Sequence, residues 1–101
     1  MNVRFKKPYA MVGAGRLTAS IWKEPGLNAR WKYGFNIFRL DSRNRRVTQR
    51  LLPRDIADLI KLARVLAQVI ADDGCSSSGV RRELLSLAAS IDCLLGDEGN
   101  L

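Results

Sequence analysis

The chain has 101 residues, a formal net charge of +7 and 47% hydrophobic residues, which fits one globular domain with a modest core. No apolar run approaches the roughly 20 residues of a membrane-spanning helix, and Arg4, Lys6 and Lys7 interrupt any signal-like stretch. We therefore expect a single domain over residues 1–101, located in the cytoplasm and without a membrane partner.

The first half of the chain predicts strands. Residues 1–12 fit either an N-terminal arm or an edge strand. Residues 13–52 alternate polar and apolar side chains with period two, which predicts a basic antiparallel sheet with one face on a core. The pair Pro25-Gly26 suits the centre of a type II turn and so predicts a hairpin. A polar turn over 41–44 precedes a shorter strand.

From Pro53 onward the apolar period becomes 3.6, which predicts two helices. Helix one is expected over 53–73 and helix two over 78–95. Asp72 and Asp73 are anomalous, because acidic side chains at a helix C-terminus oppose the helix dipole. The predicted fold class is therefore α+β: a small antiparallel sheet of three or four strands, a long helix packed on one face, and a second C-terminal helix.

The apolar surface of helix one is wider than one sheet face can cover. Its members are Ile56, Leu59, Ile60, Leu62, Ala63, Val65, Leu66, Val69 and Ile70. The helix therefore needs a second packing partner, either helix two of the same chain or helix one of another copy. We favour a homodimer through helix one, with helix two as additional surface, because a three-stranded sheet with one covering layer leaves an edge and apolar surface unpaired. An intrachain helix pair that buries everything is the alternative.

Positive charge and aromatic rings are concentrated in the same half of the chain. Residues 1–54 contain 13 of the 17 lysines and arginines, only two acidic residues and all seven aromatic rings. Single-stranded nucleic acids bind where cations follow the phosphates and rings stack on the bases. The first half therefore predicts a nucleic-acid partner, with single-stranded DNA favoured.

The sheet face turned away from helix one is the predicted binding surface. If Val47 and Leu51 point towards helix one, this outer face is basic and bears two rings, Trp22 and Phe38. The predicted nucleic-acid-binding residues on this face and its loops are Arg16, Trp22, Arg30, Lys32, Phe38, Arg43, Arg45, Arg46 and Arg50. Solvation of an exposed sheet is the alternative role for each cation. The two rings need a partner, which could be nucleic acid, another subunit or the N-terminal arm.

Three short segments resemble a known fold: Gly15–Trp22, Asn36–Arg39, and Leu51 with Asp55, Ile56 and Leu59. With them, residues 16–66 resemble small bacterial proteins of the single-stranded-DNA-binding transcriptional-regulator fold, the class of the positive-cofactor-four type coactivators. The resemblance implies a curved antiparallel sheet backed by one helix, dimerisation through the helix side, and binding of melted DNA by the sheet in transcription regulation. The chain departs from it in having Arg45, Arg46 and Val47 where an aromatic residue usually follows the second turn, and in its acidic second helix.

Two other functions fit parts of the sequence. A ribbon-helix-helix-like regulator would insert a ribbon of residues 46–50 into the major groove of duplex DNA, but this gives Trp22 and Trp31 no role. A protein-interaction module would dock its basic half on an acidic partner and bind no nucleic acid.

An enzyme is not expected. The sequence has no histidine, which is the usual general base at neutral pH. Cys75 and Cys93 cannot complete a four-ligand zinc site by themselves, and we interpret both as reduced thiols. We therefore expect no catalytic residues, no metal and no cofactor.

Overall fold

A computed structural model describes residues 7–26, 30–41, 43 and 45–99. One antiparallel sheet has the strand order β1-β2-β3-β4, with β1 at Ala10–Ala14, β2 at Leu17–Pro25, β3 at Trp31–Asp41 and β4 at Arg46–Thr48. A 3-10 turn at Pro53–Asp55 leads into α1, Ile56–Asp72, and α2 follows at Ser78–Gly99. The predicted α+β fold class is confirmed: an antiparallel sheet precedes a long helix and a second C-terminal helix.

The first strand is an edge strand joined to β2 by a two-residue turn. Its ladder runs from Ala10 opposite Ile21 to Ala14 opposite Leu17, so the described part of the segment 1–12 follows the edge-strand alternative. Residues 1–6 of that segment lie outside the described residues. The turn consists of Gly15, whose φ is 59°, and the residue after it, and a glycine in the first central position is typical of a type II′ hairpin.

The core lies between β2 and α1. Leu17, Ala19 and Ile21 project from β2 at alternate positions, and Leu62, Leu66 and Ile70 face them from α1; all six are at most 7% exposed. This agrees with the period of two in the sheet and of 3.6 in the helix. The described contacts of α1 with the sheet are mainly to β1 and β2, so the helix lies towards that edge. The inner face of β3 is consequently only partly covered.

The β2–β3 connection differs from the predicted turn. Pro25 pairs with Trp31 in the ladder, and the Gly26 N–H donates to the Arg30 carbonyl. Among the described glycines only Gly15 has a positive φ, whereas the second central residue of a type II turn requires one. The prediction that Pro25-Gly26 forms the centre of a type II turn is therefore wrong, because both residues belong to the hairpin stem. The connecting residues 27–29 lie outside the described part of the chain.

The fourth strand has the opposite side-chain orientation to the predicted one. Leu40 lies opposite Val47, and Asp41 lies opposite Arg46. Val47 is thus on the outer face with Leu40, whereas Arg46 is on the inner side. The turn between β3 and β4 spans positions 42–45 and includes a positive φ of 51° at Arg45. Turn length fixes hairpin register, and a shift of one residue exchanges the two faces of a strand.

The two acidic residues at the end of α1 are each satisfied by a side chain. Asp72 accepts hydrogen bonds from the Gln68 amide nitrogen at 3.0 Å. Asp73 follows the helix in an extended conformation and accepts bonds from Lys23 Nζ at 3.1 Å and from the Tyr33 hydroxyl. The cation that the dipole of α1 would favour at its C-terminus is therefore supplied by β2.

The second helix packs against α1 within the same chain. Ala88 and Ile91 are buried, and the Arg64 guanidinium forms two parallel bonds of 2.9 and 3.0 Å to the Asp92 carboxylate. The helix continues beyond the expected end at residue 95 to Gly99. None of the described helices is long and apolar enough to cross a membrane.

Candidate nucleic-acid interface

The strand register brings three of the predicted residues to the outer face. Trp22, Lys32 and Phe38 project from β2 and β3 on the side away from α1. Arg46 does not, since it is paired with Asp41 on the inner side. Its predicted position on the outer face is therefore wrong, for the register reason given above.

The remaining predicted arginines lie in turns or beside strands. Arg43 and Arg45 are exposed in the β3–β4 turn, and Arg50 is exposed just after β4. Arg30 precedes β3 and lines a cavity that also contacts Cys75. Among the described strand residues of the outer face, only Lys32 is cationic.

The outer face is also more apolar than predicted. Met11, Leu40 and Val47 are 58%, 57% and 60% exposed, and all three lie on this side of the sheet. Phe38 sits between them, opposite Thr18, and is half-buried. A surface of this kind offers contact area for flat or apolar groups beside its few charges.

An open cavity lies beside the Trp22 ring. Trp22 is directly opposite Gly34 in the β2–β3 ladder, and a Cβ atom on Gly34 would meet no atom within 4 Å. The cavity has a volume of about 590 Å³ and is lined by both residues, by the three lysines Lys7, Lys23 and Lys32 and by Tyr33, with Glu24 as its acidic member. The absence of a side chain at position 34 therefore leaves room next to an indole ring in a cavity lined by lysines.

The indole nitrogen of Trp22 is unsatisfied. Trp22 Nε1 is buried and has no hydrogen-bond partner among the described residues. A buried donor without an acceptor costs about 1–3 kcal/mol. The sequence pattern assigns the Trp22 ring to the face on which it lies, but nothing in the pattern indicates whether the indole N–H has a hydrogen-bond acceptor.

A second cavity collects arginines at the opposite end of the sheet. Its volume is about 770 Å³, and its charged lining residues are Arg16, Arg39, Arg43, Arg54 and Asp41. We call it the arginine cleft. Arg16 and Arg43 belong to the predicted set, whereas Arg39 and Arg54 were missed. They were missed because Arg39 follows the apolar inner residues of β3 and Arg54 lies in the 3-10 turn, so that only the fold brings them together.

Arg39 is held in the arginine cleft by a buried carboxylate. Arg39 Nε lies 3.4 Å from Asp55 Oδ2, and the same oxygen accepts the Leu52 N–H at 2.7 Å. Asp55 is 1% exposed and immediately precedes α1. The carboxylate therefore fixes both the start of the helix and one wall of the cleft.

A polar cluster closes the opposite end of the inner face. Lys23 Nζ lies 4.8 Å from the centre of the Tyr9 ring, 5.2 Å from that of Trp31 and 3.6 Å from Cys75 Sγ. The hydrogen bond from the Tyr33 hydroxyl, followed by that from Lys23, holds the pKa of Asp73 below its usual value. Burial, followed by the same bond to Asp73, raises the pKa of Tyr33. The cluster ties β2 and β3 to the α1–α2 junction.

The described residues contain no group of three side chains suited to hold a metal ion. No protein-family model, curated protein or solved structure matches this chain. The similarity of residues 16–66 to the single-stranded-DNA-binding regulators therefore stays a prediction.

Proposed function

We propose that the protein is a non-catalytic binder of single-stranded nucleic acid, with DNA favoured, and that the outer face is its binding surface. The observation that carries this proposal is the space over Gly34, where an indole ring and three lysines border a cavity open to a flat group. Base stacking on an aromatic side chain contributes about 1–3 kcal/mol per base. The resemblance to regulators that bind melted DNA agrees with this and suggests a role in transcription.

Filling the cavity tests this proposal without removing the ring. We expect Gly34→Val to weaken binding of a labelled single-stranded oligonucleotide by about tenfold. We expect the same loss in Trp22→Ala, which removes the ring on which one base stacks. The added Cβ atom meets no neighbour within 4 Å and valine suits a strand, so the free energy of unfolding should not fall. Fluorescence anisotropy of the oligonucleotide measures the affinity of each variant, and urea unfolding measures its stability.

Gly13→Val is the matched control for the filled cavity. Gly13 also lies on the outer face, opposite Thr18, and a Cβ there makes only ordinary contacts. This variant should bind like the wild type. Equal affinity of the Gly34→Val protein and the wild type would contradict the proposed site. Tighter binding of duplex than of single strand would favour the ribbon-helix-helix-like alternative, and no binding at low salt would favour a protein-interaction module.

We also propose that the protein acts as a homodimer through an apolar groove between β3, α1 and α2. The groove has a volume of about 300 Å³, and its walls include Phe35, Ile37, Leu59, Leu66, Leu84 and Leu87. Phe35 is 49% and Leu87 is 48% exposed although both are large and apolar. α2 covers α1 within the chain, but the groove remains open. It is the unpartnered surface that the wide apolar stripe of helix one predicts.

Charge favours a second copy as the occupant of this groove. The chain carries a net charge of +7, so two copies repel each other over most surfaces. No charged side chain lines the groove, and a twofold interface brings the same patch of both copies together. An uncharged, apolar patch is therefore where this chain can meet itself at the least electrostatic cost.

We expect Leu87→Glu to convert a dimer into a monomer, because it places a charge in the centre of the paired apolar surface. Sedimentation equilibrium of the two proteins measures their masses directly. Leu94→Glu is the control, since Leu94 is 66% exposed on the same helix but does not line the groove. A monomeric wild type, or a Leu87→Glu protein that remains dimeric, would contradict this interface.

A further inference from the structure

We propose that the arginine cleft is a separate anion site that binds condensed phosphate, meaning a di- or triphosphate group. Its four guanidinium groups, from Arg16, Arg39, Arg43 and Arg54, face one carboxylate, Asp41. Two further carboxylates lie at its walls, Asp55 against the Arg39 guanidinium and Asp58 against the Arg16 N–H, so the four arginines exceed the nearby aspartates by one charge. Guanidinium groups are suited to this ligand because their fixed donors bind phosphate oxygens in pairs.

The arginines are held by contacts that leave the cleft itself positive. The Arg16 N–H donates to Asp58 Oδ2 at 3.2 Å, and the Arg43 N–H donates to Asp41 Oδ1 at 3.0 Å. These bonds fix the backbone of each residue, not its guanidinium. Arg39 is oriented by its buried partner Asp55. The backbone of the two turns and the Arg39 side chain are thus in place before any ligand arrives, which reduces part of the entropy lost on binding.

Glycine is required where the β1–β2 turn approaches α1. A Cβ atom on Gly15 would overlap the Asp58 carboxylate, and its φ of 59° is unfavourable for other residues. This close approach sets Arg16 against the start of α1, beside Arg54. Four arginines from the β1–β2 turn, β3, the β3–β4 turn and the 3-10 turn are thereby brought to one cavity.

The charge density favours condensed phosphate over the backbone of a nucleic acid. A backbone contributes one negative charge per phosphate, separated by a sugar, so it presents its oxygens to the four arginines one phosphate at a time. A di- or triphosphate presents several phosphates in one group that can contact more than one of these arginines, and a cavity of about 770 Å³ has the size of ordinary small-molecule sites. Such a group occurs in free nucleotides and at the 5′ end of a newly made RNA strand.

Titration calorimetry with inorganic tripolyphosphate tests this site in the full chain. We expect saturable binding by the wild type, and weakening by roughly tenfold or more in Arg43→Gln/Arg54→Gln, because each arginine removed loses charge-assisted hydrogen bonds. The control Lys61→Gln/Arg82→Gln removes the same charge from two exposed side chains outside the cleft and should bind like the wild type. Sulfate at equal ionic strength should give no saturable heat.

Two further arms separate this site from the proposed function and identify the source of the phosphate. Trp22→Ala should bind tripolyphosphate normally even if it no longer binds an oligonucleotide, so that either site can fail alone. Tighter binding of ATP than of a 5′-triphosphate strand would indicate that the ligand is a free nucleotide. Tighter binding of the strand would indicate that the ligand is a strand end. Both results support the site. Three results would overturn the proposal: no saturable binding of tripolyphosphate by the wild type, an equal loss of affinity in the control variant, or displacement of tripolyphosphate by a 5′-hydroxyl strand.

Discussion

Asp55→Ala should lower the free energy of unfolding by about 3–5 kcal/mol, the range found when one member of a buried ion pair is removed. The carboxylate is 1% exposed and interacts with the Arg39 guanidinium, whose side chain is 13% exposed. Its loss leaves that cation buried without its counter-charge and also leaves the Leu52 N–H without its acceptor. Urea unfolding at neutral pH, followed by far-ultraviolet circular dichroism, measures the change.

The chain offers a matched exposed pair as the control. Asp92 also binds an arginine, Arg64, through two hydrogen bonds, but its side chain is 53% exposed. Exposed pairs contribute little because water screens them, so Asp92→Ala should change stability only slightly. Equal losses in the two variants would show that burial of Asp55 does not set its contribution. In Arg39→Leu/Asp55→Leu, part of the stability should return, because no unpaired charge remains.

The sequence predicts those parts of the fold that depend on local periodicity. Leu17, Ala19 and Ile21 alternate with polar neighbours, so the inner face of β2 follows directly from the pattern. In α1, Leu62 and Leu66 recur at helical spacing. Both sets are buried, because each residue's position within its own element determines the face on which it lies.

Features that depend on turn length or on distant partners do not follow from periodicity. The face of Val47 depends on how many residues connect β3 to β4, and an alternating pattern fits either choice equally well. Arg39 and Asp55 meet only after the sheet folds against the start of α1. The Trp22 ring could be assigned to the outer face, but the cavity beside it results from its pairing with Gly34, which requires the register.

The three proposed surfaces occupy different parts of the molecule. The cavity at Trp22 lies on the outer face, the arginine cleft lies where the β1–β2 turn meets the start of α1, and the apolar groove lies on the helix side. Only the groove lacks charged lining residues. A dimer formed through the helix side would therefore leave the outer face of each copy open, which is the arrangement that binding of a strand requires.

Asp73→Ala should lower the free energy of unfolding at neutral pH by about 3 kcal/mol, since the carboxylate is 12% exposed and accepts more than one charge-assisted hydrogen bond. The variant leaves the Tyr33 hydroxyl and Lys23 Nζ without their common acceptor. Asp72→Ala is the neighbouring control: Asp72 is exposed and accepts bonds only from the Gln68 side chain among the described side chains. It should have little effect.

The pH dependence of this loss separates the carboxylate charge of Asp73 from simple packing. Because the pKa of Asp73 is lowered in the folded state, its contribution is present at neutral pH and is lost as pH falls below the ordinary value of 3.8 through the lower folded pKa. The pKa of Lys23 is raised, chiefly by its bond to Asp73, and that of Tyr33 is raised by burial and the same bond. The contribution of these two groups to stability is therefore lost at alkaline pH, above the ordinary pKa values of 10.5 for lysine and 10.0 for tyrosine.

Urea unfolding of the wild type and Asp73→Ala across this pH range should therefore show a difference in stability that is greatest near neutrality and narrows at both extremes. Packing contacts of the Asp73 side chain do not depend on its ionisation. If Asp73→Ala removed packing alone, the difference in stability between the two proteins would not vary with pH. A constant difference between the two proteins would mean that the bonds of Lys23 and Tyr33 to the charged carboxylate do not stabilise the junction of α1 and α2. A difference that narrows only in acid would assign the stabilisation to ionised Asp73, with no contribution from the raised pKa values of its two donors.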